Sequence, residues 1–201
     1  MPTAVLAKNI SIGGISVQSL VTRTASGEIG HEVALPAAQA GTLSTRTSDT
    51  QGVATLGAGH GIETGDLVDV YWEGGVRYGV TVGTVSGTSV PLTDSGAGDN
   101  YPTQGTAITV APVTELDSDF DGDKLVALAA LCTKRGYVDI RTSSASAKDK
   151  ELLANEAYDW AKDAGEANPL ASFVIDVIRI SNGDSTGTAT GKVALIYDSN
   201  T

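Results

Sequence analysis

The sequence predicts a mainly β protein: a jelly-roll-like β-sandwich, a small β-barrel module inserted into it, and at most one helix, over about residues 147–164. Three observations carry this expectation. Short segments alternating apolar and polar residues recur along the chain, separated by glycine-rich turns, as half-buried strands require. Hydrophobic residues make up 41% of the 201 residues but aromatics only 5%, so a core exists and small aliphatic side chains must fill it. Residues 41–113 form a dense run of short strands and turns that reads as a module of its own.

In chain order, "NISIGGISVQS" alternates Ile10 with Ile12 and Ile15 with Val17 around Gly13-Gly14, a hairpin with glycines where the turn needs positive φ. "HEVALP" (31–36) is a short strand ended by Pro36. Within 41–113, "GVATL", "LVDVYW", "VRYGVTVGTV", "GTSVPL" and "TAITVAPV" read as strands with turns between them. Short strands at such spacing suit a small closed barrel or sandwich, and closure removes exposed edges. Beyond the module, "KLVALAALCTKR" (124–135) and "GYVDIRT" (136–142) form a hairpin through Lys134-Arg135-Gly136. "SFVIDVIRIS" (172–181) and "GKVALIYDS" (191–199) are strong strands joined by a polar hairpin loop. The Ala, Lys, Glu and Leu of 146–170 favour a helix, with Leu152, Leu153, Ala157, Trp160, Ala161 and Ala164 as its stripe. The competing reading makes "ELLANEAYDW" an extended segment. The first forty residues have too few strands to fold alone. Residues 1–40 and 114–201 are therefore expected to form one discontinuous sandwich domain around the inserted barrel of 41–113.

The net charge of −11 repels phosphate backbones and anionic lipids, so neither nucleic acid nor membrane is an expected partner. No apolar run approaches the roughly 20 residues that span a bilayer. The N-terminal stretch lacks the basic-then-apolar pattern of a secretory signal, which points to synthesis in a cytoplasm. The single cysteine, Cys132, lies in an apolar run and reads as a buried thiol.

The stretch nearest to a chemical motif is "DSDFDGDK" (117–124). Asp117, Asp119, Asp121 and Asp123 alternate, with Gly122 after the third, as in the start of a calcium loop. An EF-hand is excluded, because Leu128 stands where a bidentate Glu is needed and no helix leads in. A calcium loop completed by oxygens from elsewhere is one reading of these four acids; a solvated junction between modules is the plainer one. His31 and His60 are far apart and share no cysteine cluster, which argues against zinc. His60 in "GAGHG" reads as a turn residue. The glycine-rich 57–66 runs into a strand, so it is no phosphate cradle. No nucleophile elbow or acid–base pair can be assembled by spacing, and no enzyme activity is expected. Tyr71, Trp72, Tyr78, Tyr158 and Trp160 are candidates for sugar stacking or, more plainly, core anchors.

The segment "GHGIETGDLVDVYW…GVRYGVTVGTVSGTSVPL", with Gly59, His60, Gly61, Gly65, Asp66, Val68, Val70, Val82, Val85, Ser86, Gly87 and Val90, resembles small β modules of tailed-bacteriophage virion and tail proteins. The resemblance covers roughly 41–113; the later "ANEAYDW…NPLA…SNGDST…ALIYDS" is similar to a phage structural β-sandwich. It implies a virion structural protein assembled in the host cytoplasm. The first expectation is a capsid decoration (cement) protein that forms a homo-oligomer, a trimer or ring, on the major capsid protein or other virion proteins. The alternatives are a tail tube subunit, which the 147–164 helix would suit, and a carbohydrate-binding or adhesion module.

Overall fold

The computed structural model describes residues 1–12, 15–93, 97–139, 150–162, 167–171 and 174–198. It is mainly β, with a closed six-strand barrel and additional sheets. Strands β1 (Thr3–Ile12) and β2 (Ile15–Thr24) form an antiparallel ribbon, with Ile12 opposite Ile15 and Thr3 opposite Thr24. The strand pairing expected around residues 9–19 is thus present and longer, while the expected Gly13-Gly14 turn lies outside the described residues. Strand β3 (Gly27–Leu35) follows after two residues and joins a different sheet.

The barrel is built from β4 (Gln39–Arg46), β5 (Gly52–Leu56), β6 (Leu67–Trp72), β7 (Gly75–Val82), β8 (Ser89–Thr93) and the first part of β10 (Ala107–Asp121); the two-residue β9 (Ala97–Gly98) flanks β7. Closure comes from β10. Ala107–Val110 pair with β4 on one side, and Thr109–Pro112 pair with β6 on the other. Leu43, Ala54, Val68, Val70, Val80, Val82, Val90, Leu92, Ile108 and Val110 turn inward and are buried together. Small aliphatic side chains from the strands fill a narrow barrel, and Tyr101 from the loop before β10 joins the same cluster. Register shifts at Leu43/Thr45 and Val68/Val70 bend the strands into the curve. Strand β4 was not expected: "QAGTLSTR" carries Leu43 as its one large apolar residue, so local pattern says little. Its place is set by close packing instead, since a Cβ on Gly41 would lie 2.4 Å from the Thr55 carbonyl oxygen.

β10 does not stop at the barrel. Its second part, from Val113, pairs with β15 (Val174–Asn182). The expected module junction at 113–114 therefore lies inside one unbroken strand. Asp121 then caps a single 3₁₀ turn, Gly122–Lys124. The chain continues through β11 (Leu125–Cys132), β12 (Gly136–Asp139), β13 (Lys150–Leu152), β14 (Tyr158–Ala161), β15 and β16 (Ala189–Tyr197). One sheet has the order β14-β11-β16-β3; the other runs β13-β12-β15-β10 and continues into the barrel. Leu35, Leu116, Leu128, Trp160, Ile178 and Leu195, drawn from both sheets, share one buried cluster.

Two expectations are corrected here. No α-helix occurs among the described residues, and the part of 147–164 that is described holds β13, a turn and β14. Leu152 and Trp160 point into the inter-sheet core, while Leu153 is half exposed. Burying one Leu-sized side chain is worth about 1.5–3 kcal/mol, against at most about 0.7 kcal/mol per residue from helix propensity. Asn155, at φ 60, makes the turn and donates its N–H to Cys132 O. The second correction concerns partners. β11 and β12 are not a hairpin, nor are β15 and β16; each pair is split between the two sheets. Alternation identifies a strand with one buried face, and that requirement is met equally by a strand that crosses to the facing sheet.

Candidate functional site

The most elaborated polar cluster lies where the barrel meets the β12–β15 sheet. On β6 the inward Val68 and Val70 alternate with Asp69 and Tyr71, which face out of the barrel. On β15, Ile178 and Ile180 enter the inter-sheet core and Ser181 faces the other way, towards β6. The two outward faces meet. Ser181 Oγ donates to Asp69 Oδ2 at 2.5 Å, Tyr71 Oη lies 2.7 Å from Ser181 Oγ, and Gly79 N donates to Asp69 Oδ1 at 2.8 Å. Asp69 is buried, and its carboxyl is pushed up to about 6. Loss of hydration is the main cause, with the Asp139 charge adding to it; the Ser181 and Gly79 hydrogen bonds and Arg179 pull the other way.

Aromatic packing surrounds this network. Tyr137 of β12 sits between Tyr71 (centroids 5.4 Å apart) and Tyr78 (5.0 Å). Ala38, Val76 and Ala111 complete the cluster. The end of β15 and the loop after it tie down the chain entering the barrel: Asn182 Nδ2 donates to Pro36 O, and Ala38 N donates to Asp184 O. Thr186, through its hydroxyl and its N–H, holds the Asp184 carboxyl below its ordinary value, and Lys134 at 3.3 Å adds to this. A serine, a carboxylate and a tyrosine in contact could suggest nucleophilic chemistry. Ser181, however, is 0% exposed, so the observed packing gives a substrate no approach to its hydroxyl. The arrangement joins two bodies of structure. Its one sequence signal was Asp69 beside Tyr71 on the polar side of an alternating strand, which reads as a solvated face until another sheet covers it.

The residues singled out from sequence are dispersed. Asp117 and Asp119 lie in β10, and their side chains fall outside the described residues. Asp121 and Asp123 are exposed; the Asp121 carboxylate accepts from Asp123 N at 3.0 Å, and Asn168 holds the buried Gly122 through its carbonyl. Among the described residues no three His, Cys, Asp or Glu side chains form a metal-sized group. His31 lies in β3, away from His60. His60 closes the barrel end: Nδ1 accepts from Ile62 N at 3.0 Å, and Nε2 lies 3.1 Å from Gly87 O. Neutral imidazole with its proton on Nε2 satisfies both contacts. Cys132 is buried, and loss of hydration raises its thiol pKa. None of the six tyrosines and two tryptophans is exposed; Trp72 is half-buried, with its ring centroid 6.0 Å from that of Tyr101, and Trp160 is in the inter-sheet core. No family model, no curated protein and no solved structure matches the chain.

Proposed function

We propose that the chain is a virion structural protein of a tailed bacteriophage, acting as a capsid decoration (cement) protein that assembles as a homo-oligomer, a trimer or ring, on the major capsid protein. The observation that carries this is the strand order. Taken in chain order from β3, and setting the barrel strands aside, the first, eighth, third and sixth strands form one sheet; the second, seventh, fourth and fifth form the other. We read this order as two interleaved Greek keys, a jelly roll, an architecture frequent in viral capsid domains and also found in lectins and cupins. The step from architecture to function is one of analogy. It is supported by the resemblance of residues 41–113 to phage virion modules. In this reading 1–40 and 114–201 are the sandwich domain and 41–113 the inserted barrel, joined through the Asp69–Ser181–Tyr71 contacts. Such a body adds stability to a lattice by burying surface across joints between capsomers.

The tail tube alternative loses the 147–164 helix that suited it. The adhesion alternative would need an aromatic platform, and every Trp and Tyr is at least half-buried. The test is immunogold imaging of phage particles with an antibody to the chain. Label over heads supports decoration, label along tails replaces it with the tail reading, and unlabelled particles overturn both.

A further inference from the structure

β15 ends in a side chain that ties separate segments together. Asn182 lies opposite Gly136 at the close of the strand and is 0% exposed. Its Nδ2 donates to Pro36 O at 3.1 Å and to Gly187 O at 2.9 Å, and its Oδ1 accepts from Asp184 N at 3.0 Å. These partners fix the orientation of the amide, because the reversed amide would set its oxygen against two carbonyls. The next residue is equally constrained. Gly183 N donates to Arg135 O at 2.8 Å. A Cβ at this position would lie 3.1 Å from Tyr71 Cζ, in the ring whose hydroxyl contacts Ser181. Hydrogen bonding thus calls for Asn at 182, and packing for Gly at 183.

That pair carries a chemical liability, and it is the only Asn-Gly step in the 201 residues. In a freely moving chain the Gly183 nitrogen, having given its proton to solvent base, can reach Asn182 Cγ, since glycine has no side chain to block the approach. The new N–C bond closes a five-membered succinimide. The Cγ–Nδ2 bond breaks, and Nδ2 leaves as ammonia with a proton from solvent. Water then opens the ring at either carbonyl, leaving an aspartyl residue or an isoaspartyl link at position 182. In the native protein each reacting group is held. The proton on the attacking nitrogen is bonded to Arg135 O, the amide is tied through both its nitrogen and its oxygen, and the Asn182 side chain is shut off from water.

We propose that Asn182-Gly183 is a latent modification site, silent in the native fold and released by unfolding, so that a chain left unfolded loses its ability to refold. The products do not fit the place they come from. An aspartyl carboxylate would set an oxygen against Pro36 O and Gly187 O with no proton between them, in a buried position. An isoaspartyl link adds a carbon to the backbone between Asn182 and Gly183, which draws Gly183 N away from Arg135 O. Both changes fall where the end of β15 holds the chain entering the barrel.

The test ages the full-length chain in mildly alkaline buffer, with and without urea above the unfolding midpoint, and follows position 182 by peptide mass spectrometry and isoaspartate detection. Conversion is about tenfold faster or more in urea, because reaction in the native state must wait for the end of β15 to open. Gly183→Ala, followed in urea where folding plays no part, slows conversion about tenfold, since its side chain obstructs ring closure. When urea is removed, the fraction that regains the wild-type near-UV circular dichroism falls as conversion rises, and it contains unmodified Asn182 alone. Asn182→Asp presents one product directly; it lowers the thermal midpoint or prevents folding. Equal conversion with and without urea, undiminished conversion in Gly183→Ala, converted chains in the refolded fraction, or a wild-type midpoint in Asn182→Asp each overturns the proposal.

Discussion

Asp69 is a carboxyl group that the fold prefers to keep protonated. Its value near 6 in the native protein lies above the ordinary 3.8. The native state therefore holds this proton more tightly than the unfolded chain does. The favourable contribution is full below about pH 4 and is lost as pH rises through 6, where the buried charge costs on the order of 3 kcal/mol. The protonated acid can donate to Ser181 Oγ, which then donates to Tyr71 Oη; on ionisation the direction of that chain reverses. An Asp69→Asn amide reproduces the protonated form and donates in the same place. The variant should melt close to wild type at pH 4.5 and several degrees higher at pH 7.5. A difference in midpoint that does not change with pH would show that Asp69 is not the group concerned. At Gly136 a Cβ would stand 2.2 Å from the Ser181 carbonyl oxygen, in a β15 backbone that cannot give way, and 3.4 Å from Cys132 Sγ. Gly136→Ala should therefore cost about 1–3 kcal/mol in denaturant melts, as overpacking does elsewhere.

Among the elements, β13 and β14 were the least legible. Helix formers dominate "ELLANEAYDW", and only the fold reveals that Leu152 and Trp160 belong to two strands in facing sheets. Far-UV circular dichroism should accordingly show a predominantly β spectrum. Asn155 carries the turn between the two strands at positive φ. Replacing it with Ala should cost about 1–2 kcal/mol, whereas Gly should be nearly neutral. Equal effects of the two substitutions would point to the side chain rather than to the backbone. Trp160→Ala removes an anchor of the inter-sheet cluster and should destabilise by about 3–5 kcal/mol. Most other strands were legible because one buried face imposes alternation, as in Val68-Asp69-Val70-Tyr71. β4 was not, because "QAGTLSTR" holds its place through Gly41 and a closing neighbour rather than through an apolar period. The Asp69–Ser181 contact was not legible either: the two residues are 112 positions apart, and each alone resembles a residue on a solvated face.

At the scale of the molecule, β10 serves two cores in succession. Its first part closes the barrel and its second part enters the sheet with β15. A barrel sharing a strand, a buried carboxylate network and a tyrosine cluster with its neighbour cannot unfold without exposing all three. Calorimetry on wild type should show a single transition, and Tyr71→Phe with Ser181→Ala should lower it as a whole. Two separated transitions in the wild type would mean that the barrel melts independently.

The sequence by itself determined that the chain is mainly β and where most strands lie, including most of those that close into the barrel. These follow from alternation and turn chemistry, which act over a few residues. The tertiary structure decided which strands are neighbours, that 150–161 forms two short strands joined by a turn, and that Asp69, Tyr71 and Ser181 lie buried together. Those outcomes depend on which surfaces cover one another. A half-buried strand is satisfied by any partner that hides its apolar face, so the choice is made by closing the barrel and the two facing sheets at once.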